Sequence, residues 1–233
     1  MLPRAGAIAQ ALSEARRAAA VRLAEAVEHE LRDLRLAGSR FAVRFECRQA
    51  TGGVPVTLPA DALVPGETQA GGAAREAELG AGGVDQVEFY VTLNPGEPLR
   101  PLAKVASGGE TARLMLALKT ILGAADTVPT LVFDEVDVGI GGRSGDVVGA
   151  KLAALGEHRQ VVITHLPQVA ARAGRHLVVA KRVLGERTFT EVRAIDDDER
   201  RQELAAMLGG SSDAHLAAAA DMLARRPAAE ARP

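Results

Sequence analysis

Apolar residues recur in steps of three or four from Ile8 to Leu36, at Ile8, Leu12, Ala15, Ala19, Leu23, Val27, Leu31 and Leu34, with Arg and Glu between them. That spacing predicts an amphipathic helix, with Gly38 as its stop. About 30 helical residues would reach about 45 Å. Two readings stay open for it: one arm of a coiled coil, or a long helix on the surface of its own domain. The pattern then changes period. Phe41 to Phe45 alternates as a strand does, and Gln86 to Leu93 does so again before a turn at Asn94-Pro95-Gly96. Between them, Thr51 to Gly83 is rich in Gly, Pro and Ala without an apolar period, which predicts a long mobile loop.

The remainder alternates between helical and strand patterns. Helices are expected over Thr111 to Ala125, Ser144 to Leu155, Glu199 to Leu208 and Ala214 to Arg225, with a short one from Pro167 to Ala173. Thr130 to Phe133 and Gln160 to Thr164 have the apolar run of buried parallel strands. Leu177 to Val183 and Phe189 to Ala194 form a late strand pair. The alternation predicts an α/β fold with parallel strands at its centre.

Composition narrows this modestly. The chain has 233 residues, 47% of them hydrophobic, enough for a real core. Its 28 basic and 30 acidic residues nearly cancel, so net charge neither indicates nor excludes nucleic-acid contact. Cys47 is the only cysteine, which rules out an intrachain disulfide and points to a reducing compartment. In a strand-like run it reads as packing. No apolar stretch approaches the roughly 20 residues a bilayer requires, so a soluble, cytoplasmic protein is expected.

Three short stretches carry candidate chemistry. Ser107-Gly108-Gly109-Glu110 opens the helix near Thr111, where unpaired N–H groups can hold a phosphate and glycines admit a close ligand. Ser107 and Glu110 equally spell a capping box, so both readings stand. The apolar strand Leu131 to Phe133 delivers Asp134 and Glu135, one placed for a Mg²⁺ shell and the other to orient or deprotonate water. A solvated pair of loop acids is the alternative. Val162 to Thr164 delivers His165 to the C-terminal strand edge, where open α/β sheets bind ligands. Alone, such a histidine is more often structural.

Their order is more telling than any one of them: serine-glycine-glycine helix, strand with two acids, Asp137 and glycines, helix, strand with histidine. It is the order of the second half of an ABC-class ATPase head. Three stretches make the resemblance specific: Asn94 to Lys119 (NPGEPLRPLAKVASGGETARLMLALK), Val132 to Gly142 (VFDEVDVGIGG) and Thr164 to Ala171 (THLPQVAA). With Glu203 to Gly210 (ELAAMLGG), the chain resembles the C-terminal half of the RecN family of bacterial DNA-repair ATPases. The match is poor only across Thr51 to Gly83.

The resemblance implies roles. Ser107, Gly108, Gly109 and Glu110 would be the signature that grips ATP on an opposite head. Asp134 would support Mg²⁺, Glu135 would be the general base, and Asp137 with Gly139 to Gly142 would form a loop communicating across the dimer. His165 would be the switch histidine. Ala106 replaces the leucine usual before the signature serine of ABC proteins, as in the RecN pattern. The implied division is a returning coiled-coil arm over 1–37 and a C-terminal head lobe over 38–233. Partners would be an N-terminal Walker A lobe, a second head and DNA, at the nucleoid, with no membrane.

One element is missing. A phosphate-binding loop places a lysine directly after glycine, and none of Lys104, Lys119, Lys151 and Lys181 follows one. The chain alone is therefore expected to bind ATP poorly and hydrolyse almost none. A competing reading makes it a non-catalytic fragment that docks on an intact head.

Overall fold

The computed structural model describes residues 1–59, 62–64, 72–105, 108–125, 127–155, 159–185 and 187–225. The chain divides into two compact units, Met1–Ile121 and Leu122–Pro233.

In the first unit a long helix, α1 (Leu2–Asp33), lies on strands β1 (Arg40–Cys47) and β2 (Gln49–Leu58). Its inner face is Gly6, Ala9, Ser13, Ala20, Ala24, Val27 and Leu31. Small residues let the helix approach closely: a Cβ on Gly6 would lie 2.2 Å from the Pro55 carbonyl oxygen. The stripe expected to face inward starts outside, with Ile8 64% and Leu12 39% exposed, and reaches the core only at Val27, Leu31 and Leu34. The reason is geometric. Successive residues turn by about 100°, so each step of four from Ala19 to Leu31 carries the stripe about 40° further round the helix, from the outside at Ile8 to the inner face at Val27 and Leu31. The helix also stops before Gly38. Arg35 takes the left-handed conformation at φ 63°, and Leu36 N–H returns to the Leu31 carbonyl at 2.9 Å, the Schellman closure.

The first unit holds a four-stranded antiparallel sheet ordered β3-β1-β5-β6, where β3 is Ala62–Val64, β5 is Asp85–Thr92 and β6 is Arg100–Pro101. β2 pairs separately with β4 (Ala73–Ala77). This corrects the loop expected over Thr51 to Gly83. Val54, Val56 and Leu58 alternate inward and join Ala9, Cys47, Ala77 and Val84 in one cluster. The period of two is present in the sequence, but Gly52, Gly53 and Pro55 disguise it. Residues 60, 61 and 65–71 of that stretch lie outside the described residues. Cys47 is buried in the cluster, which agrees with a packing role. Helix α2 (Gly108–Leu122) buries Leu114, Leu116, Ala117 and Leu118.

The second unit contains β7 (Thr130–Phe133) and β8 (Arg159–Val162), paired in parallel with Phe133 opposite Val162. Helix α3 (Arg143–Ala154) connects them, the strand–helix–strand unit expected from the pattern. Burial on both faces does not hold: Val132 is 65% and Val161 48% exposed. Helix α4 (Pro167–Ala170), the antiparallel pair β9 (His176–Leu184) and β10 (Arg187–Ile195), and helices α5 (Asp197–Met207) and α6 (Asp213–Ala224) follow. Leu204, Ala205 and Ala219 form a small core with Ala170 and Ala171. The buried Arg200 donates to the Ala173 carbonyl at 2.8 Å and holds α5 against the end of α4. The molecule is thus mixed α/β, with its one strand–helix–strand crossover among the described residues in the second unit.

Candidate functional site

Parallel pairing makes neighbouring strands end at the same edge. β7 delivers Asp134 and Glu135, and the ladder runs one residue past β8, with Ile163 N–H donating to the Phe133 carbonyl at 2.9 Å. Thr164 and His165 therefore emerge beside the two acids. Asp134, Glu135, Asp137 and His165, four of the residues singled out in the sequence, share this edge.

After β7 the chain turns sharply. Glu135 is exposed at φ 57°, a left-handed conformation uncommon for a side chain of its kind. Asp134 Oδ1 accepts the Glu135 N–H at 2.9 Å, and Val138 N–H returns to the Glu135 carbonyl at 3.1 Å. The turn sends the two acids and the next two residues in opposite directions. Asp134 and Glu135 stay in solvent, whereas Val136 and Asp137 are buried, at 0% and 1% exposure. Gly139 and Gly142 then take positive φ, 76° and 50°, which suits residues without a Cβ, and α3 begins at Arg143.

Asp137 is the centre of the hydrogen-bonded network. The Thr164 hydroxyl contacts its Oδ2, the His165 N–H donates to that oxygen at 2.9 Å, and His165 Nδ1 lies 3.2 Å from it. Leu166 N–H donates to Thr164 Oγ1 at 3.0 Å. Asp137, expected in a loop that communicates across a dimer, makes these contacts within its own chain. Hydrogen bonds to a charged partner contribute about 1.5–3 kcal/mol each, so the carboxylate ties the two strand exits firmly together. Thr164 was not singled out in the sequence. A hydroxyl beside a strand-end histidine is a faint signal until an acid is seen opposite it.

The signature residues lie in the first unit. Gly108 and Glu110 stand in the opening turn of α2, and Gly109 is buried there; Ser107 lies outside the described residues, and with it the capping-box alternative. Arg113, one turn further, is buried; desolvation lowers its pKa while the Glu110 carboxylate opposes the shift.

Among the described residues no group of three His, Cys, Asp or Glu is placed to hold a metal ion. Asp134 offers a single exposed carboxylate. That fits Mg²⁺, which keeps several waters and binds one or two carboxylates plus substrate phosphates. No helix among the described residues is long and apolar enough to cross a membrane.

No family model matches the chain. It is 41% identical over 201 residues to the DNA repair protein RecN of Halalkalibacterium halodurans, covering 86% of this chain and 31% of that protein. Against the RecN proteins of Streptomyces coelicolor and Mycobacterium leprae the identities are 42% over 215 residues and 44% over 218. Those matches cover 92% and 91% of this chain and 35% of each relative. The chain thus spans about a third of the length of these relatives. A solved Smc head domain with a coiled coil, from Pyrococcus yayanosii, superposes loosely, with a TM-score of 0.44 and 16% identity over 79% of this chain and 28% of that one. Over about nine-tenths of its own length the chain is thus similar to part of the RecN proteins.

Proposed function

We propose that this chain is the C-terminal lobe of an ABC-class, SMC-like ATPase head that works in bacterial double-strand-break repair and recombination. The observation that carries the reading is the shared edge of β7 and β8, where two exposed acids stand beside an exposed histidine at the ligand-binding end of a parallel pair. Glu135 acts as the general base toward water, and Asp134 contributes a carboxylate to Mg²⁺. When bound, that ion would neutralise charge on the phosphate oxygens. His165 reads the state of the phosphate. Ser107, Gly108, Gly109 and Glu110 grip ATP held by a second head, and Gly139 to Gly142 form the loop toward the dimer partner. DNA is the substrate on which the assembled protein acts.

Two surfaces support a larger assembly. Val132, Val161 and Ile163 expose an apolar sheet face, 65%, 48% and 55% open, that suits cover by an N-terminal lobe carrying the Walker A loop. The outward stripe Ile8, Leu12, Ala15 and Ala19 has heptad spacing and suits the opposing arm of a coiled coil.

The test is ATP turnover by this chain, alone and mixed with a separately made lobe bearing G-x-x-x-x-G-K-S/T, with and without DNA. Turnover only in the mixture is expected. There, Glu135→Gln should lower kcat by about 10²–10⁴-fold, the usual worth of a general base, with ATP binding retained. Turnover by the chain alone, or none in a mixture seen to assemble, would overturn the proposal. The second outcome would favour a non-catalytic docking fragment.

A further inference from the structure

We infer that Asp137 is a positioning residue that fixes the tautomer of His165, placing the ring hydrogen on Nδ1 and leaving Nε2 as a proton acceptor. The argument is a count of donors. A carboxylate oxygen only accepts, so the Thr164 hydroxyl in contact with Asp137 Oδ2 is the donor there. Its lone pair then takes the Leu166 N–H, at 3.0 Å, which fixes the direction of the chain of bonds. The same Oδ2 also receives the His165 N–H at 2.9 Å. With two donors already on this oxygen, a carboxyl hydrogen has no place on it. His165 Nδ1 lies 3.2 Å from the same oxygen, where a ring lone pair would face oxygen lone pairs and a ring hydrogen would be attracted, so the hydrogen is assigned to Nδ1. A neutral imidazole has one such hydrogen, so Nε2 keeps its lone pair. Burial separates the two roles: the Asp137 side chain is 2% exposed and that of His165 68%.

The consequence deepens the proposed head function and rests on it for the identity of the incoming group. A phosphate oxygen is an acceptor, and so is Nε2, so the neutral ring has no hydrogen bond to offer a phosphate there. A hydrogen bond from this ring to a phosphate oxygen requires a second hydrogen, on Nε2. Toward water the neutral ring acts at once, as an acceptor. Asp137 thereby determines which ligands the exposed ring can meet.

The test needs no nucleotide. A long-range ¹H–¹⁵N spectrum of the ¹⁵N-labelled chain is recorded at about pH 8, well above the ordinary imidazole value of about 6.5. The His165 signals are identified by their loss in His165→Gln. The expected pattern is a protonated Nδ1 and an unprotonated Nε2. In Asp137→Ala the balance should move toward the Nε2–H form that free imidazole prefers. A His165 ring in the Nε2–H form, or averaged between forms, in the unaltered chain overturns the inference whether or not the variant folds. An unchanged pattern in a folded Asp137→Ala chain overturns it too. If the tautomer is as stated but the two-lobe mixture hydrolyses no ATP, the functional proposal fails and the positioning role stands.

Discussion

The pin between α1 and the sheet can be dissected by a double-mutant cycle. Asp85, at the start of β5, has a side chain only 1% exposed; it accepts the Ser13 hydroxyl at 2.6 Å and Arg16 at 3.1 Å. Ser13 is fully buried in the middle of α1. Asp85→Ala removes a hydrogen bond to a charged group, worth about 1.5–3 kcal/mol, and strands the hydrogen of a buried hydroxyl whose oxygen still accepts from Arg17 at 3.5 Å, at about 1–3 kcal/mol more. Arg16 is a third exposed, so water solvates it afterwards and the ion pair itself adds little. The expected loss is about 3–4 kcal/mol. Ser13→Ala leaves Asp85 with Arg16 and should cost about 1–2 kcal/mol. The double variant should destabilise by about 1–2 kcal/mol less than the sum, because the stranded hydroxyl is then gone. Urea denaturation followed by circular dichroism measures all three. An Asp85→Ala loss under about 1 kcal/mol, or strict additivity, would refute the reasoning.

Other expectations rest on single features. Gly6→Ala puts a methyl 2.2 Å from the Pro55 carbonyl oxygen, so despite the better helix propensity of alanine it should lower stability by about 1–3 kcal/mol in the same assay. Glu135→Gly relieves a left-handed backbone and should raise stability by about 1 kcal/mol or less, seen as a slightly higher melting temperature, while abolishing turnover in the two-lobe mixture; a lower melting temperature would count against strain at that turn. Burial, first, and then Arg200 push the pKa of His176 below its ordinary value of 6.5, against a smaller opposite effect of Glu203. Unfolding then takes up a proton, so His176 contributes stability that is full above about 6.5 and is lost as pH falls through the lower folded value. Urea midpoints between pH 8 and pH 5 should therefore fall less steeply with acid in His176→Gln than in the unaltered chain.

Much of the second unit was legible as pattern. Its central strands and its helices lie within a few residues of their expected places, because short apolar runs, period-3.6 faces and turn residues are local properties. Asp134, Glu135 and His165 could be singled out for the same reason: each stands at the end of an apolar strand. The inner face of α1 could not be read. Its larger apolar residues recur in steps of three and four that wind round the helix, while contact with the sheet selects Gly6, Ala9 and Ser13, a preference set by the closeness of Pro55 and Asp85. Strand β2 was hidden for a related reason, since Val54, Val56 and Leu58 are recognisable as a buried face only once Ala77 and Ala9 lie against them.

The sequence by itself determined the alternation of elements, the order of the candidate motifs and the absence of a lysine-bearing phosphate loop. Only the tertiary structure decided what Asp137 does. Three residues along the chain from Asp134, it turns away from solvent and takes hold of Thr164 and His165, more than twenty residues further on. Spacing along a chain fixes which side chains reach an edge, but a carboxylate finds its donors through space, and that choice exists only after β7 and β8 have paired.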